Sequence, residues 1–350
     1  MKPKLAKFLG SILILGMLVA SAFAAGCIGG EQTSTKQPSS SEQPEAEWPS
    51  TLRFLHGAPG GTWEQIGGVF AEILSKNLVP TTTRTGGGVS NIINLNDGKG
   101  DLGLTGAVLG MPAMRGDQPF EKNMDNVATI ANLYRQWFYF VISKDFADKY
   151  GIKSVDDVFE KKVPIRLAAM KPGTLSEFTV KSLLQTCYGV TYDDIKSWGG
   201  EVVWASYSDG ANQLINGNID AFAFTVSMPT TVVMQIEAQK EIYILPISEE
   251  ARKKMADTYG TVTFTFEPGV YKSVTEPVPT IGTYTILIVR KDLPEDLVYE
   301  ITKLYFANKE ELAKSIKALG ELEPEEAAKN TGFPLHPGAE KYYKEIGAIS

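Results

Sequence analysis

Three short glycine-bearing stretches hold the residue types best suited to chemistry in this chain. The first, Gly57-Ala58-Pro59-Gly60-Gly61, leads into Thr62 and Trp63. The second, Gly86-Gly87-Gly88, leads into Ser90 and Asn91, and the third, Pro172-Gly173, into Thr174 and Ser176. Each sits between a short apolar run and an amphipathic pattern, where a strand turns into a helix. First-turn N–H groups lack intrahelical acceptors and lie at the positive end of the helix dipole, so such turns suit an anion. A purely local role competes with that one. Thr62, Ser90 and Thr174 can each cap a helix, and Thr62 with Gln65, or Thr174 with Glu177, fits a capping box.

None of the turns is a nucleotide loop, since the Lys-Ser/Thr pair of a P-loop and the G-x-G-x-x-G spacing are both missing. One helix start contributes about 0.3–2 kcal/mol to anion binding. Micromolar affinity needs roughly 8 kcal/mol, so further partners are required. Arg135 in "NLYRQWFYF" supplies a cation beside Tyr134, while Thr105, Thr225 and Ser227 supply strand-end hydroxyls. Catalysis has little support. The two histidines, His56 and His336, are far apart, and no H-E-x-x-H, C-x-x-C or G-x-S-x-G occurs. No catalytic residue, cofactor or metal is expected, and acyl or phosphoryl transfer is the enzymatic alternative.

The elements that must position these residues alternate. Strands are expected at 52–55, 81–85, 102–105, 138–142, 165–169, 202–205, 221–225, 242–245 and 284–289. Helices are expected near 62–76, 90–97, 174–187, 208–216, 229–238, 248–257 and 294–307. This order predicts an α/β fold with largely parallel sheets. "FYFVISKDF" (138–146) and "TYTILIVRKDL" (283–293) are similar strands bracketing a long insert. They predict a two-strand hinge between a first domain, 49–137 plus 287–350, and a second, 138–286. Ligands of open α/β sheets sit beyond the carboxyl ends of strands, where all three turns lie.

A chain of 350 residues with net charge −7 has room for two domains and no basic surface for nucleic acid. Residues 1–27 read as a secretory segment: Lys2, Lys4 and Lys7, an apolar run from Phe8, then "FAAGC" ending at Cys27. Either Cys27 is lipidated or the apolar run stays as an anchor helix. Both tether an extracytoplasmic protein to a membrane. Residues 28–48, rich in Ser, Gln, Glu and Pro, predict a disordered linker. Cys187 has no partner for an intrachain disulfide in the mature body and is expected as a small buried apolar residue.

Several stretches in order resemble the TAXI-type solute-binding proteins of tripartite ATP-independent periplasmic (TRAP) transporters. These are "TGGGVSNIINLNDGKGDLGLTG" (85–106), "GIKSVDDV" (151–158), "PGTLSE" (172–177), "GVTYDDI" (189–195), "LINGNIDAFAFTVSMP" (214–229), "LIVRKDLPEDLVYEITKLYF" (287–306) and "PLHPGAEKYYKE" (334–345). The resemblance spans nearly all of the mature body. It departs at Ala58, Pro59, Trp63, Glu64, Gly88, Arg135 and Leu175, where the family commonly shows other residues. It implies a two-domain type II periplasmic-binding-protein fold with an interdomain cleft and no enzymatic activity. A monomeric receptor would pass a small organic anion, glutamate-like or a dicarboxylate, to a TRAP permease; a sensor for a signalling partner is the alternative. The ligand would meet Gly60, Gly61, Thr62, Trp63, Gly87, Gly88, Ser90, Asn91, Thr105, Tyr134, Arg135, Pro172, Gly173, Thr174, Ser176, Thr225 and Ser227.

Overall fold

A computed structural model describes residues 47–57 and 61–350. The expectations for Cys27, the secretory segment, most of the linker and Gly60 lie outside the described residues. Among the described residues no helix is long and apolar enough to cross a membrane.

The first half opens with β1 (Leu52–Leu55), α1 (Thr62–Asn77), β2 (Thr81–Arg84), α2 (Gly88–Asn96) and β3 (Leu102–Gly106). Strand β1 lies between β2 and β3, and all three are parallel. A short α3 (Gly110–Arg115) leads to β4 (Val127–Ser143), which carries the chain into the second half. After α4 (Lys144–Tyr150) and α5 (Val155–Glu160), a similar pattern returns. It runs β5 (Arg166–Ala169), α6 (Leu175–Leu183), α7 (Tyr192–Ser197), β6 (Glu201–Trp204), α8 (Tyr207–Ile215) and β7 (Ala221–Val226). Here β5 lies between β6 and β7, again parallel. Next come α9 (Thr231–Glu237), β8 (Ile242–Ile244), α10 (Glu249–Tyr259) and β9 (Val262–Phe266). Strand β10 (Val278–Arg290) brings the chain back, and α11 (Glu295–Ala307), α12 (Lys309–Ser315), α13 (Pro324–Ala327) and α14 (Pro337–Glu345) close it.

The sheet order is β2-β1-β3-β10-β4-β7-β5-β6. Its two outer parts are parallel, as the alternation predicts. Its centre is not: β10 runs antiparallel to β3 and β4, and β4 antiparallel to β7. The paired strands that the sequence marks as a hinge are longer than their apolar runs, 17 residues in β4 and 13 in β10. Polar residues had hidden their ends. Asn132 and Thr280 bond inward to backbone carbonyls, and Thr283 accepts from the Val108 amide. Strand β9, pairing with β10, is an addition to the expected set.

Apolar packing follows the two lobes only in part, because one cluster crosses between them and joins Leu55, Ile92 and Val108 to Phe178. Another joins Phe54, Phe70, Leu133 and Tyr134 to Leu287, Tyr305 and Tyr343. Others join Phe138, Phe140, Leu167 and Leu183, or Tyr139, Phe222 and Phe224. Half-buried Cys187 packs beside the cluster of Phe138, and burial pushes its thiol up to about 11.

Each lobe also carries the same ionic tie at the end of its sheet remote from the glycine turns. Asp101, just before β3, accepts from the Arg53 amide and Nε (both 2.8 Å) and Nη2 (2.9 Å). Asp220, just before β7, does the same for Arg166 at 2.8, 3.0 and 2.6 Å. In return each aspartate amide bonds its arginine's carbonyl. A charge-assisted bidentate pair fixes register as well as adding energy. These ties hold β1 against β3 and β5 against β7.

Candidate functional site

A cavity of about 840 Å³ opens where the strands of both lobes end at their carboxyl sides. The first lobe contributes Gly57, Gly61, Thr62, Trp63, Tyr134 and Gln136. The second contributes Met170, Leu175, Ser176, Ser206, Tyr207, Ser208, Thr225, Val226 and Ser227. Three helices begin at this cavity. Gly61 is the N-cap of α1, Thr174 precedes Leu175 and Ser176 of α6, and Ser206 is the N-cap of α8.

The first-lobe wall is a hydrogen-bonded aromatic set. The Trp63 Nε1–H points to Tyr134 Oη (3.1 Å) and Thr285 Oγ1 (3.2 Å), and Gln136 Nε2 donates to the same Thr285 oxygen. Burial pushes the Tyr134 phenol up to about 12, so it stays protonated and neutral. The second-lobe wall is made of hydroxyls. Ser176 Oγ donates to Thr225 O (2.8 Å) and accepts from Thr225 N (3.0 Å), while Tyr207 Oη donates to Thr225 O at 2.9 Å. These bonds pin the starts of α6 and α8 to the end of β7. Thr225 is only 2% exposed, yet its Oγ1 has no hydrogen-bond partner. A buried unpaired hydroxyl costs free energy unless a ligand or water completes it.

Several sequence expectations move. Arg135 does not line the cavity. Successive strand residues point to opposite faces, so Tyr134 and Gln136 share the cavity face and Arg135 takes the other. There its Nε donates to Glu326 Oε1 at 2.8 Å, its Nη2 pairs with Glu326 Oε2, and its amide reaches Glu321. Asn91 is fully buried and its amide is consumed by scaffold. Its Oδ1 accepts from Gly87 N (3.1 Å), and its Nδ2 faces the carbonyls of Leu55, His56 and Leu104 at 2.8–3.1 Å. Thr105, equally buried, donates to Gly88 O at 3.0 Å. Gly87, the N-cap of α2, and its neighbours Gly88 and Ser90 therefore belong to a helix start that does not line the cavity.

The third turn splits in two. Leu175 and Ser176 reach the large cavity, whereas Pro172, Gly173 and Thr174 line a separate one of about 420 Å³, which takes Val89, Gln118 and Pro119 from the first lobe and Glu177, Lys181 and Tyr259 from the second. Thr174 does cap α6, accepting from Glu177 N at 3.2 Å. The reciprocal half of the box is absent, because the Glu177 carboxylate accepts from Tyr192 Oη instead. Thr62 caps nothing; Gly61 holds that position without a side-chain bond. Ser90 likewise follows the cap and turns its hydroxyl back to Gly87 O.

The expectation missed Gly57, Gln136, Met170, Leu175, Ser206, Tyr207, Ser208 and Val226. Gln136 was hidden because the strand was expected only from Phe138, whereas it begins at Val127 and alternation then sets Gln136 beside Tyr134. The α8 trio was legible, in "ASYSDG", a Ser N-cap with Asp209 three residues on. Both histidines serve the scaffold. The His56 Nδ1–H donates to Gly57 O at 2.8 Å, and His336 Nδ1 accepts from Gly338 N at the start of α14. Among the described residues no group of His, Cys, Asp and Glu could hold a metal ion.

Leu175 also meets the opposite lobe. Its side chain lies against Gly106 at the end of β3, filling the place a Cβ there would occupy. Nearby, Arg115 Nη1 donates to Thr258 O at 3.3 Å, and the Met111 Sδ approaches Gly260.

Residues 54–347 match the NMT1-like family. Among solved structures, XAC2383 from Xanthomonas citri, bound to a chloride ion, shares 12% identity at a TM-score of 0.50, covering 86% of this chain and 97% of that one. MatC from Rhodopseudomonas palustris with bound malate shares 15% at 0.48, covering 85% and 96%. The periplasmic binding protein BugD shares 15% at 0.48, covering 86% and 99%. The likeness to XAC2383 shows a shared mixed α/β fold.

Proposed function

The chain belongs to the NMT1-like family, and from that membership and its interlobe cavity we propose that it is a solute-binding receptor rather than an enzyme. It takes up a small organic anion between the lobes and bends closed about β4 and β10. The observation that carries this reading is the convergence of three helix starts, α1, α6 and α8, on one cavity of about 840 Å³. That volume is ordinary for a small-molecule site. First-turn N–H groups supply donors without a fixed counter-ion, which suits a carrier that must also release its cargo.

The finer parts of the proposal rest on sequence. The resemblance to TAXI-type proteins supports delivery to a TRAP permease, and the "FAAGC" segment supports an extracytoplasmic receptor tethered through Cys27 or an anchor helix. The division into 49–137 plus 287–350 and 138–286 draws support from two apolar clusters that each keep to one side of it, although another crosses it at Phe178. Within the expected ligand set, Gly61, Thr62, Trp63, Tyr134, Ser176, Thr225 and Ser227 are the residues the cavity supports. Native mass spectrometry of the purified full chain, followed by calorimetry with the solute released, tests the reading. A carboxylate or other organic acid is expected. Recovery of neutral sugars alone would overturn the anion assignment.

A further inference from the structure

The residues lining the large cavity include no Arg, Lys, His, Asp or Glu. The three loop residues between Gly57 and Gly61 are Ala58, Pro59 and Gly60, which cannot add one. Resting on the receptor reading above, we infer that the ligand is a monocarboxylate with an uncharged, largely apolar body, and that the site rejects dicarboxylates and zwitterionic amino acids such as glutamate.

The charge available at the cavity decides between these classes. Three helix starts offer a partial positive charge of about one half each. Each of these helices also carries an acidic residue in its first turn, Glu64, Glu177 and Asp209, which offsets part of that field. What remains suits one carboxylate. Once the lobes close over the ligand, a second would lose its water with no counter-charge, and an ammonium would find no lining carboxylate; a desolvated charge without a partner is strongly disfavoured.

An independent observation points to a ligand at the same place. Thr225 lines the cavity, is 2% exposed, and has a hydroxyl with no partner. Its neighbours Ser176 and Tyr207 already have theirs at the Thr225 backbone. The remaining walls, Trp63, Met170, Leu175 and Val226, offer apolar surface for the body of the ligand. Two charged neighbourhoods adjoin the large cavity, each with one residue of either sign: a cavity of about 450 Å³ that shares Ser227 and holds Lys317 and Glu321, and the cavity of about 420 Å³ at the α6 start, which holds Lys181 and Glu177.

A matched six-carbon series tests this on the purified full chain: hexanoate, adipate, 6-aminohexanoate and hexanamide, each titrated by calorimetry. Hexanoate is expected to bind at least tenfold more tightly than the other three. Thr225→Val is expected to weaken hexanoate several-fold at an unchanged melting temperature. Equal or tighter binding of adipate or 6-aminohexanoate would overturn the single-charge inference and leave the organic-anion receptor intact; loss of the adipate preference in Lys317→Met would place the second charge in the cavity that holds Lys317. Tightest binding of hexanamide would overturn the anion reading as well. If none of the four binds at millimolar concentration, the monocarboxylate inference falls, while the receptor reading is judged separately by the solute found in native mass spectrometry.

Discussion

The two lobes are built on one plan at their far ends and on different plans where they face each other. At the far ends, Arg53–Asp101 and Arg166–Asp220 repeat bond for bond, down to the returning amide. On the side that faces the other lobe, the first lobe starts α1, at the cavity, and α2, away from it, on bare glycines, Gly61 and Gly87, with no side-chain cap. The second lobe starts α6 and α8 on Thr174 and Ser206, each accepting its own third-residue amide. A helix start without a cap keeps its donors open, while a capped one has satisfied part of its own need. The first lobe thus offers donors and an aromatic wall, and the second a pre-set row of hydroxyls. The difference teaches that stability sits at the conserved geometry of the ties, and selectivity at the ends that diverge.

The largest test addresses the likeness. Replacing Asp101 by Ala leaves Arg53 without its partner and leaves Arg290, whose Nε lies 3.5 Å from the same carboxylate, with Asp292 alone. A loss of about 3 kcal/mol in urea unfolding is expected. Asp220→Ala should cost less, about 2 kcal/mol, because the Arg166 side chain is 41% exposed against 31% for Arg53 and water can replace more of the pair. A larger loss for Asp220 would break the ranking.

Asn91 and Ser176 form the second comparison, since each pins a helix start to strand ends. Asn91→Ala removes bonds to Gly87, Leu55, His56 and Leu104, with an expected cost of about 2–3 kcal/mol. Ser176→Ala removes two bonds to Thr225 and should cost about 1–2 kcal/mol. Similar losses from both would show that the pins are equivalent after all.

Acid should loosen one lobe before the other. His336 falls in the first lobe, and burial lowers it from its usual value of 6.5. The unfolded chain therefore takes up the proton first. Stability is full above about 6.5 and falls as the pH drops from there through the lowered folded value. Hydrogen exchange between pH 7 and 5 should show α14 and its neighbours opening ahead of β5–β7. His336→Asn, which keeps an N-cap acceptor, should flatten that dependence; an unchanged profile would assign it elsewhere.

Smaller effects probe the cavity side. Gly106→Ala would displace Leu175 and is expected to weaken hexanoate about fivefold, or about 1 kcal/mol, with little change in melting temperature. Gly87→Ser, at an extended φ of −167°, should add a few tenths of a kcal/mol by supplying a cap. Thr174→Gly should remove about as much. Opposite signs for these two would support the contrast in how the lobes start their helices.

Much of the plan was legible in the sequence because it rests on periodicity. The outer strands β1, β3, β5 and β7 are short apolar runs bounded by glycine and polar residues. Strands β4 and β10 were half-hidden, since residues such as Asn132, Gln136, Thr283 and Thr285 interrupt their apolar runs while bonding inward. The ionic ties had a signal in "LRFL" with "GDLGL" and "IRLAA" with "IDAFAF", but only the register 53 with 101 and 166 with 220 makes them one device. At the site, composition favoured the arginine next to Tyr134. The strand was expected only from Phe138, and because it in fact starts at Val127, alternation turns Gln136 rather than Arg135 to the cavity.

Leu175 has one more consequence. The same side chain walls the cavity and seats against Gly106 of the opposite lobe, so in the proposed receptor solute contact and lobe approach would be thermodynamically linked through it. Such linkage is reciprocal: whatever the solute adds to closure, closure adds to the hold on the solute. A membrane protein that grips only the closed form would tighten the cargo. One that draws Leu175 away from Gly106 would expel it, without touching the solute at all.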